Sequence, residues 1–444
     1  LALLGDRAEG VANAEVGHAG LTRFANSRIH QNVGEVVRRV ELAVVAGGRF
    51  ARGATTRADG DGLAALVERV LAAAALRPVD PHAAGFAPPA PVPPVEHWDE
   101  GTATAGPDER AHAVAAFVAA GGPVAARLTS GAGGEAAGYC ATRAGARALA
   151  ATTGQRAVAR TSAARLDGIH RVAAAGQPAD GGAQAVSTRW GELDAAACGV
   201  RAAATARAGV DPIDLPPGDY EVVLSPRAVA AVLSFPAHLG FNGKAHAEGR
   251  SFVRPGERQW DPSIDIWDDA TDPRALGVPW DAEGTPRRRH DLVRAGVSVG
   301  LTHDRRSARL AGDEPTGHSV GDEALGGVPT DLFLRGGDAP PASLVGRVER
   351  GLLVSDLWYN RVLDAKTQVV TGLTRNGLFL VEGGEVVGAV RNMRFTQSVV
   401  EAFGPGRVLG LGDDAQLAGT GEGATAHVPS VRLASWSFTG NAQG

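Results

Sequence analysis

The stretch Asp211-Pro212-Ile213-Asp214-Leu215-Pro216-Pro217-Gly218 limits what this chain can fold into more than any other feature. Proline fixes its own φ and lacks a backbone donor, so neither a helix nor a central strand runs through a segment this rich in it. The sequence changes character there. Before it, strand-like and helical patterns alternate; after it come short strand signals, few long helical patterns and many Gly/Pro turns. We therefore expect an α+β protein, with an N-terminal α/β domain over residues 1–214 and a C-terminal antiparallel β domain over 215–444. A length of 444 residues suits two or three domains.

Within the first part, Gly20 to Val33 reads as strand with a turn at Asn26-Ser27. Val36, Arg38, Val40, Leu42 and Val44 alternate on one face, and Gly47-Gly48 offers a hairpin turn into Arg49-Phe50-Ala51. From Leu63 the period becomes helical: Leu63, Leu66, Val67, Val70, Leu71 and Ala74 form one apolar stripe. The proline-rich connector 86–95 carries no helix or central strand. A second helix starts at Pro107-Asp108-Glu109 and is expected to stop at Gly121-Gly122. Val124 to Thr153 reads as strand pieces separated by glycines, and a further helix spans Asp194 to Ala208, closed by Gly209.

Composition excludes several function classes. Hydrophobic residues are 44 % of the chain, enough for a substantial core, but aromatics are only 5 %, so Val, Leu and close backbone approach must fill it. Net charge is −5 with a pI of about 6.2, which provides no basic field for nucleic acid. Basic runs such as Arg287-Arg288-Arg289 then read as solvated loop charges. Cys140 and Cys198 fit neither a CxxC knuckle nor a disulfide scaffold and point to a reducing cytoplasm. No run reaches the ~18 apolar residues of a membrane helix.

Chemistry-bearing motifs are sparse. Asp265, Asp268, Asp269 and Asp272 lack EF-hand spacing and a central glycine, and read as a strand-end turn. No GxSxG elbow supports a serine triad, and Gly410-Leu411-Gly412 reads as a plain turn rather than a nucleotide loop. His303 and His318 flank a polar stretch, Asp304 to Gly317, expected to cross the β domain as a loop. Trp358-Tyr359 is expected in the core or a dimer interface rather than as a stacking platform. His238 and His246, with Glu248, are the only close His/carboxylate grouping near an apolar helix, and the glycines between the histidines fix no ligand geometry.

Several segments jointly resemble the TldD/PmbA, or modulator of DNA gyrase, family. They include Leu21-Thr22-Arg23-Phe24-Ala25-Asn26, Leu215 to Leu224, Asp268-Asp269-Ala270-Thr271 and Asp281-Ala282-Glu283-Gly284. Thr316-Gly317-His318, Glu349 to Val354, Thr371 to Gly377, Glu382 to Glu385, Asn392 to Phe395 and Val428-Pro429-Ser430 continue the likeness. The resemblance implies an N-terminal α/β domain and a curved, barrel-like C-terminal β domain. It also implies two subunit types. In the catalytic, TldD-like type a helix carries His-Glu-x-x-x-His, which with a later Cys binds zinc. Here the corresponding segment reads Ser234-Phe235-Pro236-Ala237-His238, and no Cys follows Cys198. Both departures resemble the TldE/PmbA type, which implies a non-catalytic subunit of a heterodimeric zinc metallopeptidase. No catalytic or metal-binding residue is expected here. Zinc is expected in the TldD-like partner, and His238, Asn242 and His246 are candidates to line the shared cavity. The substrate is expected to be a short or unfolded peptide or a peptide-like biosynthetic intermediate. The alternative is a homodimeric peptide- or ligand-binding protein without hydrolytic activity.

Overall fold

The computed structural model describes residues 1–125, 134–173, 178–419 and 425–441. Six strands build the first sheet: β1 (Glu9–Ala25), β2 (Arg28–Ala46), β3 (Arg49–Thr55), β4 (Glu135–Ala151), β5 (Arg156–Val172) and β6 (Ala179–Ser187). Their order is β3-β2-β1-β4-β5-β6, antiparallel throughout. The hairpin turns fall where the residues permit positive φ, at Asn26-Ser27 (49° and 59°) and Gly47-Gly48 (54° and 73°). The alternation in β2 buries Leu42 and Val44 beneath α1 (Gly60–Ala75), which contributes Leu66, Val67, Val70 and Ala74. Asp59 caps that helix by accepting from the Gly62 N–H.

After a short α2 (Glu100–Thr104), helices α3 (Pro107–Ala125) and α4 (Ala195–Ala208) pack over Phe24, Cys140 and Leu166 of the sheet. Asp194 caps α4 and Gly209 closes it. Both cysteines are buried free thiols in this layer, and burial pushes Cys140 up to about 12. Two expectations change. Helix α3 runs through Gly121-Gly122, because Gly121 is a point of close approach: a Cβ there would lie 2.0 Å from Cε1 of His170. The His170 ring instead donates to the Phe117 carbonyl at 3.0 Å. The strand pieces expected from Val124 are, from Glu135, one unbroken strand; residues 126–133 lie outside the described residues.

Thirteen further strands follow among the described residues: β7 (Gly218–Leu224), β8 (Ile266–Asp268), β9 (His290–Arg294), β10 (Val297–Ser298), β11 (Asp331–Leu334), β12 (Arg350–Asp364), β13 (Val369–Glu382), β14 (Glu385–Ala389), β15 (Met393–Ser398), β16 (Val408–Leu411), β17 (Gln416–Gly419), β18 (Thr425–Val428) and β19 (Val431–Asn441). Interspersed are α5 (Pro226–Phe235), α6 (Gly243–Ala247), α7 (Arg305–Ala311), α8 (Pro341–Val345) and α9 (Val399–Ala402). Strands β12, β7, β19, β15 and β13 pair in that order, and β13 pairs back to β12, closing a five-stranded barrel. Closure leaves these strands no free edge in the ring. A second sheet, β10-β9-β8-β11-β18-β17, lies beside it. The region is not wholly antiparallel: β7 pairs β12, and β11 pairs β18, in parallel. One continuous core joins barrel and sheet, from Val222, Leu352 and Trp436 through α5 to Ile266 and Leu332.

The polar stretch after His303 is not all loop, since it contains α7, capped by Asp304 through the Ser307 N–H. Gly410 lies within β16 rather than in a turn. Trp358 and Tyr359 are not core; they are 49 % and 63 % exposed on β12. The N-terminal sheet meets the C-terminal half through Trp280, which packs with Val11, Phe86, Leu149, Ala151 and Ala157. Connector 86–95 runs without helix or strand beside this contact.

Candidate functional site

The segment from Ser225 to Glu248 is built by local rules. Ser225 caps α5, Pro226 occupies its first turn, and Val229, Val232 and Leu233 are buried. The regular helix ends at Phe235, and Pro236 to Gly240 form one wide turn in which the Phe241 N–H donates to the Pro236 carbonyl at 2.9 Å. Gly240 is required there, because a Cβ would lie 2.0 Å from Cε1 of Phe252. His238 is half-buried in this turn and His246 half-buried in the last turn of α6. Asn242 is buried and its side chain is engaged locally. Its Oδ1 accepts from the Ala245 N–H at 3.0 Å, and its Nδ2 donates to the Leu325 carbonyl at 2.6 Å. Glu248 is exposed and paired with Arg250. Among the described residues, no group of three His, Cys, Asp or Glu side chains is placed to hold a metal ion.

A cavity of about 540 Å³ lies between the N-terminal sheet and the C-terminal loops. Its roof carries Glu15, Arg39, Glu41, Arg143 and Arg147, and its floor Asp281, Arg287, His318 and Asp331. His238, Asn242 and His246 do not line it. Glu15 bridges Arg143 at 2.5 Å and Arg147 at 3.6 Å, and Arg39 pairs with Glu41 at 2.6 Å. These pairs remain partly solvated and contribute little stability.

Beneath the floor lies a buried ionic hub. Arg287 donates to Asp268 at 2.5 Å and to Asp331 at 2.9 Å. His318 Nε2 donates to Asp268 at 3.1 Å, and its Nδ1 meets the Thr316 hydroxyl at 2.8 Å. The Asp331 N–H donates to the second Asp268 oxygen at 2.7 Å. Burial alone would raise the Asp268 carboxyl; the charges of Arg287 and His318 override it and hold the group well below the usual carboxylate range. Arg287 thus sits inside the protein, contrary to the expectation of a solvated loop charge. Asp268 does end a strand, as read from the sequence.

Next to the hub, the tight turn Asp281-Ala282-Glu283-Gly284 docks the two halves. Asn13 of β1 donates to the Ala282 carbonyl at 3.0 Å, and Gln155 to the Gly284 carbonyl at 3.1 Å. The Ala87 N–H donates to the Glu283 carbonyl at 3.0 Å. Asp281 accepts from the N–H groups of Glu283, Thr285 and Ser319 at 2.9–3.0 Å. Burial still pushes it up to about 6. Glu283 is raised well above its ordinary value, by burial first and then by the charges of Asp281 and Asp304. Neither acid makes an ion pair among the described residues. The sequence signal for this assembly was the set of family-like segments at 268–271, 281–284 and 316–318, which the fold brings together.

Residues 217–440, just over half of the chain, match the family described as PmbA/TldA metallopeptidase C-terminal domain. Solved structures share the whole fold. TldE from Thermococcus kodakarensis superposes with a TM-score of 0.84 at 17% identity, over 98% of this chain and 97% of that one. A protein from Bacteroides thetaiotaomicron, described as a modulator of DNA gyrase, gives 0.82 at 17% identity over 98% and 95%. A Thermotoga maritima protein of the same description gives 0.80 at 17% identity over 97% and 96%. With the family match over the barrel and the shared fold over both halves, this chain belongs to the PmbA/TldD metallopeptidase family.

Proposed function

We propose that this chain is a TldE/PmbA-type, non-catalytic subunit of a heterodimeric zinc metallopeptidase. One observation carries the reading: in a chain of this family, the end of α5 reads Ser234-Phe235-Pro236-Ala237-His238 where the catalytic type has His-Glu-x-x-x-His. Zinc requires three protein ligands and an open position, and this segment does not fit that donor set. No step of amide hydrolysis is therefore routed through this chain. Its contribution is to close a cavity around a TldD-like partner's zinc, excluding folded proteins and admitting short or unfolded peptides or a peptide-like biosynthetic intermediate. In this reading His238 and His246 border the shared cavity, and Asn242 holds α6 in place beside them. A cytoplasmic location belongs to the same reading; among the described residues no helix is long and apolar enough to cross a membrane.

The test is zinc analysis together with a peptidase assay on the chain alone and after co-expression with a TldD-like partner. Zinc and activity only in the co-purified complex are expected. Stoichiometric zinc and peptide cleavage by the isolated chain would overturn the proposal. A homodimeric binding protein is the second reading, favoured by the open 540 Å³ cavity that residues of a single chain line. Failure to form a mixed dimer with the cognate TldD-like chain would select it.

A further inference from the structure

A separate cavity of about 360 Å³ is bordered by Asp180, Pro212, Trp358, Arg375, Asn376 and Arg391. Its charges are unequally matched. Asp180 is held by Arg171 through two bonds of 2.7 Å, and Arg391 is paired with Asp214 at 2.8 Å. Arg375 is half-buried and makes no ion pair among the described residues; its guanidinium lies 4.4 Å from the ring centre of Trp358. Among the described residues the cavity therefore holds one uncompensated positive charge, displayed as a planar fork on an aromatic face. Trp358 is 49 % exposed, leaving much of the ring open to a ligand.

The neighbouring residue adds a second irregularity. Asn376 holds a left-handed backbone (φ 56°) and is 5 % exposed. Its Nδ2 donates to Asp356 at 3.1 Å, but its buried Oδ1 finds no donor among the described residues. Buried acceptors are ordinarily satisfied, and this orphan lies just behind the cavity wall, where a small shift of Asn376 on binding would present it to a ligand donor.

One monoanion, one N–H donor and an apolar body on a single short unit describe the last residue of a peptide. The geometry points to a binding site for a peptide C-terminus: its carboxylate on Arg375, its side chain against Trp358, and its backbone N–H toward Asn376. A phosphate dianion would want further cations or a nest of backbone N–H groups, and the second arginine of this wall is already engaged. Every lining residue named here belongs to this chain, so the site is tested on the chain by itself, separately from the heterodimer.

The experiment compares fluorescein-labelled diglycyl-phenylalanine bearing a free C-terminal carboxylate with its C-terminal amide, by fluorescence polarisation on the full chain. The acid should bind about tenfold or more tightly than the amide, the effect of one charge-assisted contact. Arg375→Gln should abolish that ratio, and Trp358→Ala should weaken acid and amide alike while preserving it. Arg375→Lys, which keeps the charge but not the fork, should give an intermediate ratio and decides the matter if the glutamine variant does not fold. Equal binding of acid and amide, a ratio unchanged by either Arg375 variant, or displacement by inorganic phosphate as effective as by unlabelled acid would each overturn the assignment.

Discussion

Two pairs of buried carboxylates sit side by side under the cavity between the N-terminal sheet and the C-terminal loops, and they are stabilised in opposite ways. Asp268 and Asp331 surround the guanidinium of Arg287, with His318 as a further donor to Asp268. Among the described residues, Asp281 and Glu283 receive only backbone N–H groups. Opposite charge outweighs desolvation at Asp268, whereas at Asp281 three N–H dipoles do not, and the acid ends at about 6. The first pair behaves as a fixed ionic strut. The second is a docking turn whose charge depends on pH.

The strongest way to break the contrast is to remove the strut's cation. Arg287→Met leaves two buried carboxylates with only His318 beside Asp268, and losing one member of a buried ion cluster typically costs about 3–5 kcal/mol. Urea unfolding at pH 7 should show a loss of that size. Adding Asp268→Asn and Asp331→Asn to the same chain should recover most of it, because an uncharged cluster no longer suffers the desolvation cost. A single Arg287→Met variant as stable as the wild type would mean that the acids are not held as ions.

The docking turn has the reverse pH signature. A group whose pKa is raised on folding binds its proton more tightly in the native state. Its stabilisation is complete below the unfolded value of 3.8 and is lost as pH rises through about 6. Glu283, raised by burial and by Asp281, extends the window upward. Asp268 has the opposite sign: its contribution is present above 3.8 and is lost as pH falls through its depressed value. Asp281→Asn should therefore gain stability relative to the wild type between pH 4 and pH 7, by roughly 2 kcal/mol on the scale of a two-unit shift. Equilibrium unfolding across that range measures it; a difference independent of pH would remove Asp281 from the account.

Much of the scaffold is legible in the sequence. The alternation in β2 and the stripe of α1 are short-range signals, and the structure places Leu42 and Val44 against Leu66 and Val70 as they require. The reading of Gly121-Gly122 as a stop failed because the constraint is tertiary. His170, 49 positions later in the chain, occupies the space a side chain would need, and no local pattern records that. The ionic hub was half visible. Asp268, Asp281 and His318 stood in family-like segments, but their assembly depends on strand pairing between β8 and β11 and on turns far apart in sequence. Arg287 was misread because an Arg-Arg-Arg run carries no mark of which side chain turns inward.

The smallest perturbation asks whether docking itself sets the electrostatics of the turn. Asn13 makes a single bond to the Ala282 carbonyl from the middle of β1, so Asn13→Ala removes one partly buried hydrogen bond and should cost about 1 kcal/mol. Its value lies in combination with Asp281→Asn. If contact with the N-terminal sheet is what keeps the turn dry, loosening it admits water, lowers the desolvation that raises Asp281, and reduces the pH-dependent gain of the second substitution. The two changes are then non-additive between pH 4 and pH 7, with the double variant gaining less than the sum. Strict additivity across that range would show that Asp281 is dried by its own loop and by Ser319, and that the two halves are docked without governing its proton.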